Sequence, residues 1–193
     1  MHAISDRSRR GFTLMEILVA LVLIGLMAGT LLPAVLNNVE RGEVNRVHED
    51  LEAVNTAAKA FRVDVQRWPG DLEDLVVQPA TASSDSALTG GLYPTTLQAR
   101  WAGPYLEIGS VTTGIGTALG GTILSRMGLT AWNAENFVTV KVLNVSQADA
   151  RTLSASVDGD TAVAYALDTA GKVRWRVGSG GADTLIYLGS PVQ

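Results

Sequence analysis

Arg9-Arg10-Gly11-Phe12-Thr13-Leu14-Met15-Glu16 opens an apolar run that continues to Leu36. Between Phe12 and Leu36 one side chain ionises, Glu16. The others are Leu, Val, Ile, Ala, Met and Gly, with Phe12, two Thr and Pro33. Those 25 residues, wound as a helix at about 1.5 Å per residue, can cross a hydrocarbon core of about 30 Å. A carboxylate inside such a span costs on the order of several kcal/mol unless a cation meets it. No Lys or Arg lies within the span, and Arg9 and Arg10 stand just outside it as a cytoplasmic flank. Glu16 is the residue to be explained. A cleaved secretory signal is one alternative, but the run is too long for its apolar core, carries an acid and has no clear A-x-A site behind it. A plain signal-anchor helix is another, and it leaves Glu16 unaccounted for.

The chain has 193 residues, of which 47% are hydrophobic, a fraction raised by the N-terminal run. That length allows one anchor and one domain of ordinary size. The net charge is -4; the stretch to Gly11 carries Arg7, Arg9 and Arg10 against Asp6, so the remainder is more acidic still. An acidic domain argues against a nucleic-acid surface, which needs clustered Lys and Arg. There is no Cys, so in an oxidising compartment the fold must close without disulfides.

Arg10-Gly11-Phe12-Thr13-Leu14-x-Glu16 resembles the cleavage motif of type IV prepilins and of the pseudopilins of type II secretion. The resemblance implies that prepilin peptidase cuts between Gly11 and Phe12 and then N-methylates Phe12. It also implies that Glu16 of one subunit neutralises the freed Phe12 amine of a neighbour in a fibre. The implied partners are prepilin peptidase, other copies and other pilin-like subunits, and an inner-membrane assembly platform. The implied location is a single pass through the inner membrane, N-terminus cytoplasmic and C-terminal domain periplasmic, before extraction into a periplasmic or cell-surface fibre. Many type IV pilins pin a C-terminal loop with a disulfide; a chain without Cys is closer to the pseudopilins or to a Cys-free pilin branch.

On this reading residues 1–11 are a leader, 12–36 the membrane segment, 37–67 an amphipathic continuation of the same helix, and 68–193 a globular domain. Pro33 removes one backbone hydrogen bond and predicts a kink or local loosening. Gly25 and Gly29 form a small-xxx-small pair that would let another helix approach, unless they are incidental membrane-helix composition. Pilin helices usually carry a Gly and a Pro in this region, so Gly25 and Pro33 join Glu16 as assembly residues by resemblance.

From Asn37 the pattern becomes amphipathic. Val44, Val47, Leu51, Val54, Ala58, Phe61 and Val65 alternate three and four apart, an unbroken stripe. A coiled coil is one use for it; packing on the chain's own sheet is the simpler one. His48 reads as a solvated side chain on the polar side. Trp68-Pro69-Gly70 is expected to end the helix near Arg67. The order helix, aromatic-Pro, a short Asp71–Val77 segment, then Trp101-Ala102-Gly103-Pro104-Tyr105-Leu106 is similar to the major pseudopilin of type II secretion.

Residues 78–100 read as a polar loop. Residues 109–130, rich in Gly with Thr, Ile, Leu and Val, read either as a long loop or as an apolar patch buried between subunits. Asn136–Val142, Ala162–Leu167, Lys172–Val177 and Thr184–Leu188 are strand candidates, and Asp168–Gly171 is a hairpin turn. In Lys172–Val177 the charges alternate with Val173, Trp175 and Val177, which predicts one wet and one buried face. Ser146-x-x-Asp149 resembles a capping box opening a helix through Ser154. The expected fold is α+β and pilin-like: one long N-terminal helix packed on a C-terminal antiparallel sheet.

The sequence carries no Cys, no His pair, no G-x-S-x-G and no phosphate-binding loop. Asp158-Gly159-Asp160 is a carboxylate pair that could hold Ca²⁺, serve as acid and base, or simply turn the chain; some pseudopilins hold Ca²⁺ in a C-terminal loop. No other cofactor is expected. The reading is thus a non-enzymatic fibre subunit, most like a pseudopilin. A type IV pilus pilin, major or minor, is the alternative; the further rivals are a periplasmic binding module on a membrane anchor that never polymerises, and a secreted enzyme.

Overall fold

The computed structural model describes residues 12–80, 85–108, 111, 113–159, 171–178 and 183–192. By its contacts the chain divides into Met1–Glu40 and Arg41–Gln193. One helix, α1 (Leu14–Val65, 52 residues), contributes to both.

In the N-terminal unit α1 is apolar on every side, with a mean hydropathy of 2.5 over its most apolar 18 residues, none of which is buried. It is long and apolar enough to cross a membrane. The helical backbone runs on through Pro33, which has no N–H to offer the Gly29 carbonyl.

In the C-terminal unit α1 becomes one layer of a two-layer domain. All seven stripe residues, Val44 to Val65, are buried. The regular spacing puts them on one face because successive steps of three and four return to the same side of a 3.6-residue helix. The helix ends slightly before the Trp-Pro-Gly signal. Gln66 takes a left-handed φ of 61°, and its N–H closes on the Arg62 carbonyl at 2.9 Å.

The second layer is an antiparallel sheet centred on β4 (Glu135–Leu143). β6 (Thr184–Val192) pairs along one side of β4, and β5 (Val173–Arg176) pairs with β6. The other side of β4 is shared by β3 (Gly128–Trp132) and β2 (Thr122–Ile123), and β1 (Ile115–Gly116) pairs with β2. Val138, Val140 and Val142 of β4 join Leu185 and Tyr187 of β6, Val173 and Trp175 of β5 and the α1 stripe in one apolar core. A further helix, α3 (Gln147–Val157), adds Ala150 and Leu153. The Ser146 hydroxyl caps α3 by accepting the Asp149 N–H at 3.1 Å, and the helix runs one turn beyond Ser154.

Several expectations are corrected. The Gly-rich stretch is not a structureless loop: β1, β2 and most of β3 lie within it. Its glycines turn the β1–β2 hairpin, with Gly120 at a φ of 74°. The polar loop contains a short helix, α2 (Thr95–Gln98), entered through Pro94, and it buries Ala87 and Tyr93. Across Lys172–Val177 the alternation fails at two positions. Arg174 is buried under Trp132, its guanidinium 5.6 Å from the ring centroid, while Val177 lies past the strand and is exposed. His48 is half-buried, edge-on to the Tyr187 ring, rather than solvated. The strand candidate Ala162–Leu167 and the turn from Asp168 lie outside the described residues, apart from Gly171.

Candidate assembly site

The N-terminal end of α1 is shaped by Thr13. Its hydroxyl accepts the Glu16 N–H at 3.2 Å, and its carbonyl accepts the N–H groups of Glu16 and Ile17. Thr13-x-x-Glu16 therefore has capping-box spacing, a signal the sequence carried and the charge argument overlooked. It places Glu16 in the first helical turn, where the helix dipole favours an acid. Phe12 and Glu16 are exposed. Gly11 lies outside the described residues. Around Gly25 and Gly29 nothing comes within 4 Å of where a Cβ would stand. That side of the helix is open to another helix, as the small-xxx-small spacing allows. Thr30 satisfies its hydroxyl on the Met27 carbonyl at 2.9 Å, so it presents no unmet polar group here.

The amphipathic part of α1 is fastened to the domain by polar bonds beside the apolar stripe. The Tyr187 hydroxyl donates to the Glu52 carboxylate. That bond, first among the causes, holds the Glu52 carboxyl below its ordinary pKa. Ser190 Oγ donates to Asn55 Oδ1 at 2.9 Å, and a Cβ at Gly189 would stand 2.6 Å from that same oxygen. Near the helix end the Tyr105 hydroxyl donates to Asp64 Oδ2 at 2.8 Å. Sequence reasoning missed these pairs, because the partners are 135 positions apart between α1 and β6 and 41 apart for Tyr105 and Asp64.

The segment that follows α1 is organised by a buried acid, Asp74. Its Oδ2 accepts the Gly70 N–H at 2.7 Å and the Tyr93 hydroxyl at 2.6 Å, and its carbonyl accepts Trp101 Nε1 at 3.0 Å. Burial pushes the Asp74 carboxyl up to about 7 despite those donors. Leu72 and Leu75 on either side are fully buried. Trp101 and Tyr105, quoted above for their resemblance, thus close the loop onto the end of α1.

Asp158 stands in the turn that closes α3, one of the readings its sequence left open. Its two oxygens accept the N–H groups of Lys172 and Val173, each at 2.9 Å, so the carboxylate seats the start of β5. Asp160 lies outside the described residues. Among the described residues no group of three or more His, Cys, Asp or Glu is placed to hold a metal ion.

Comparison with known proteins bears on the same parts of the chain. Residues 6–32 match the prokaryotic N-terminal methylation motif. The chain is 30% identical over 103 residues to the type II secretion system core protein G of Aeromonas hydrophila, covering 51% of this chain and 72% of that protein. It is 28% identical over 102 residues to the protein of the same name from Vibrio cholerae, covering 51% of this chain and 70% of that one. With the Escherichia coli protein of that name the identity is 34% over 74 residues, 37% of this chain and 51% of the relative. No solved structure matches significantly. A helix with a methylation motif at its head, an antiparallel sheet behind it and relatives of one name agree: the chain belongs to the pseudopilin family of the type II secretion system core protein G.

Proposed function

We propose that this pseudopilin works as a structural subunit of a periplasmic fibre serving type II secretion. Prepilin peptidase cuts it between Gly11 and Phe12 and methylates the new amine. It waits in the inner membrane with its head in the cytoplasm and Arg41–Gln193 in the periplasm. It then joins other copies and related pilin-like subunits on an inner-membrane assembly platform. The basic leader supports this orientation, since Arg-rich flanks stay cytoplasmic. Nothing in the role calls for catalysis.

The observation that carries the reading is Glu16. It is the one ionisable side chain in a span of 25 residues, it is exposed, and among the described residues no cation shares that span. An acid left so in lipid favours whatever brings it a positive charge. The freed Phe12 amine of a neighbour is such a charge, at the right depth and oriented by the same anchor. Pairing them removes two desolvated charges at once, which makes assembly favourable from within the membrane.

The test is Glu16→Ala in the full chain with its peptidase present. Mass spectrometry of the product is expected to show N-methylated Phe12 at the N-terminus. Sedimentable fibres are expected to fall at least ten-fold, about 1.4 kcal/mol or more per subunit contact. Undiminished fibres from the variant would refute the charge pairing, and a product beginning at Met1 would refute the processing.

A further inference from the structure

An open groove of about 520 Å³ runs along the outer side of α1, between the helix and the Tyr105–Glu107 segment. Its floor is Ala53, Ala57 and Ala60 with Leu106, and its rim carries Glu49, Glu52 and Glu107. Within one turn of Ala60, on another side of the same helix, stands the opposite kind of surface. Val63 is 76% exposed, a bare apolar knob, and Lys59 stands exposed one turn before it. Groove and knob match in shape, since one is concave and floored by small residues and the other projects. They also match in charge, since acids rim one and a cation flanks the other.

We infer that the groove receives Val63 of a second copy of this chain, with that copy's Lys59 set against Glu49 and Glu52. The inference rests on the fibre reading and names the contact between periplasmic parts. Copies anchored in one membrane run parallel. Placed level with each other, they would bring Glu49 and Glu52 against their own kind. A shift of about seven residues, roughly 10 Å, instead sets Val63 beside Thr56 and Lys59 beside Glu52. At about 100° per residue, the groove floor also lies some 60–120° round the helix from Val63. Knob and groove therefore face different neighbours. Such a contact cannot close as a two-fold pair, and it repeats into an open helical array.

The absence of Cys from the chain makes a clean test. The full chain carrying both Val63→Cys and Thr56→Cys, Thr56 also lining the groove, in membranes with its peptidase, is expected to give a ladder of cross-linked multimers on mild oxidation. The two sites are about 10 Å apart along one helix, beyond the ~7 Å a disulfide can bridge, so every link is between copies. Either single variant is expected to give no ladder. Adding Lys59→Glu is expected to lower the ladder several-fold, and adding Glu49→Lys to that is expected to restore it. Fibres without a ladder would overturn the contact and leave the fibre reading standing. Val63→Cys dimers from the single variant, or a ladder indifferent to Lys59→Glu, would also overturn it. Absence of fibres from the unmodified chain would overturn the fibre reading itself, and the contact with it.

Discussion

Asp74 draws its donors from three stretches of chain, Gly70, Tyr93 and Trp101, and its carboxyl is pushed up to about 7 by burial. In the unfolded chain it titrates near 4. The folded domain therefore holds a proton that the unfolded chain has lost between about pH 4 and pH 7. In that window stability falls as pH rises, by up to about 1.4 kcal/mol per pH unit, and this contribution is gone above pH 7. Asp74→Asn keeps an oxygen acceptor and has no charge to bury. Thermal unfolding followed from pH 4 to pH 8 is expected to flatten in the variant, which at pH 8 is expected to be at least as stable as the parent. Nothing in Asp71-Leu72-Glu73-Asp74 marks the fourth residue as the buried one. Its environment is assembled by Tyr93 and Trp101, whose approach only the tertiary fold sets. Glu16 is the contrary case, legible because a lone acid among aliphatics is anomalous wherever the chain folds.

At the scale of elements, α1 and β4 could be read in advance because each repeats its own period over many residues. The stripe from Val44 to Val65 holds the helical period through three heptads, and Val138, Val140 and Val142 hold the period of a strand. β1 and β2 could not be read, since two residues each of Ile-Gly and Thr-Ile carry no period. β2 exists because β4 offers it an edge, and β1 because β2 offers one in turn. Arg174 escaped for a related reason: its alternation promised solvent, and Trp132 from β3, a strand that does not pair with β5, covered it. The stripe sets the energetics of the domain. Phe61 is fully buried and meets Tyr93 and Tyr105 edge-on, with ring centroids 5.9 and 5.7 Å away. Phe61→Ala is expected to cost about 3–5 kcal/mol, measured by denaturant unfolding. A loss below about 1 kcal/mol would mean that the helix and the aromatic loop do not share a core.

For the whole molecule, the division of labour follows from where burial begins. Among the described residues no core residue precedes Val44. A fragment of residues 38–193 is therefore expected to remain folded and soluble, with an unfolding transition within a few degrees of the full chain in detergent. Gel filtration and calorimetry check this; aggregation would show that the domain needs the apolar part of α1. The family was legible in the seven residues from Arg10 to Glu16, and the α+β architecture in the periods of its longest elements.

Every residue from Leu14 to Pro33 is exposed on the isolated subunit, and this has a consequence for traffic. Immersing that much aliphatic surface in water would cost tens of kcal/mol, at about 25 cal/mol for each Å² wetted. A subunit thus has no route through open solvent. On the fibre proposal it is passed sideways, from lipid tails to the flanks of its fellows, and the growing end stays rooted in the bilayer.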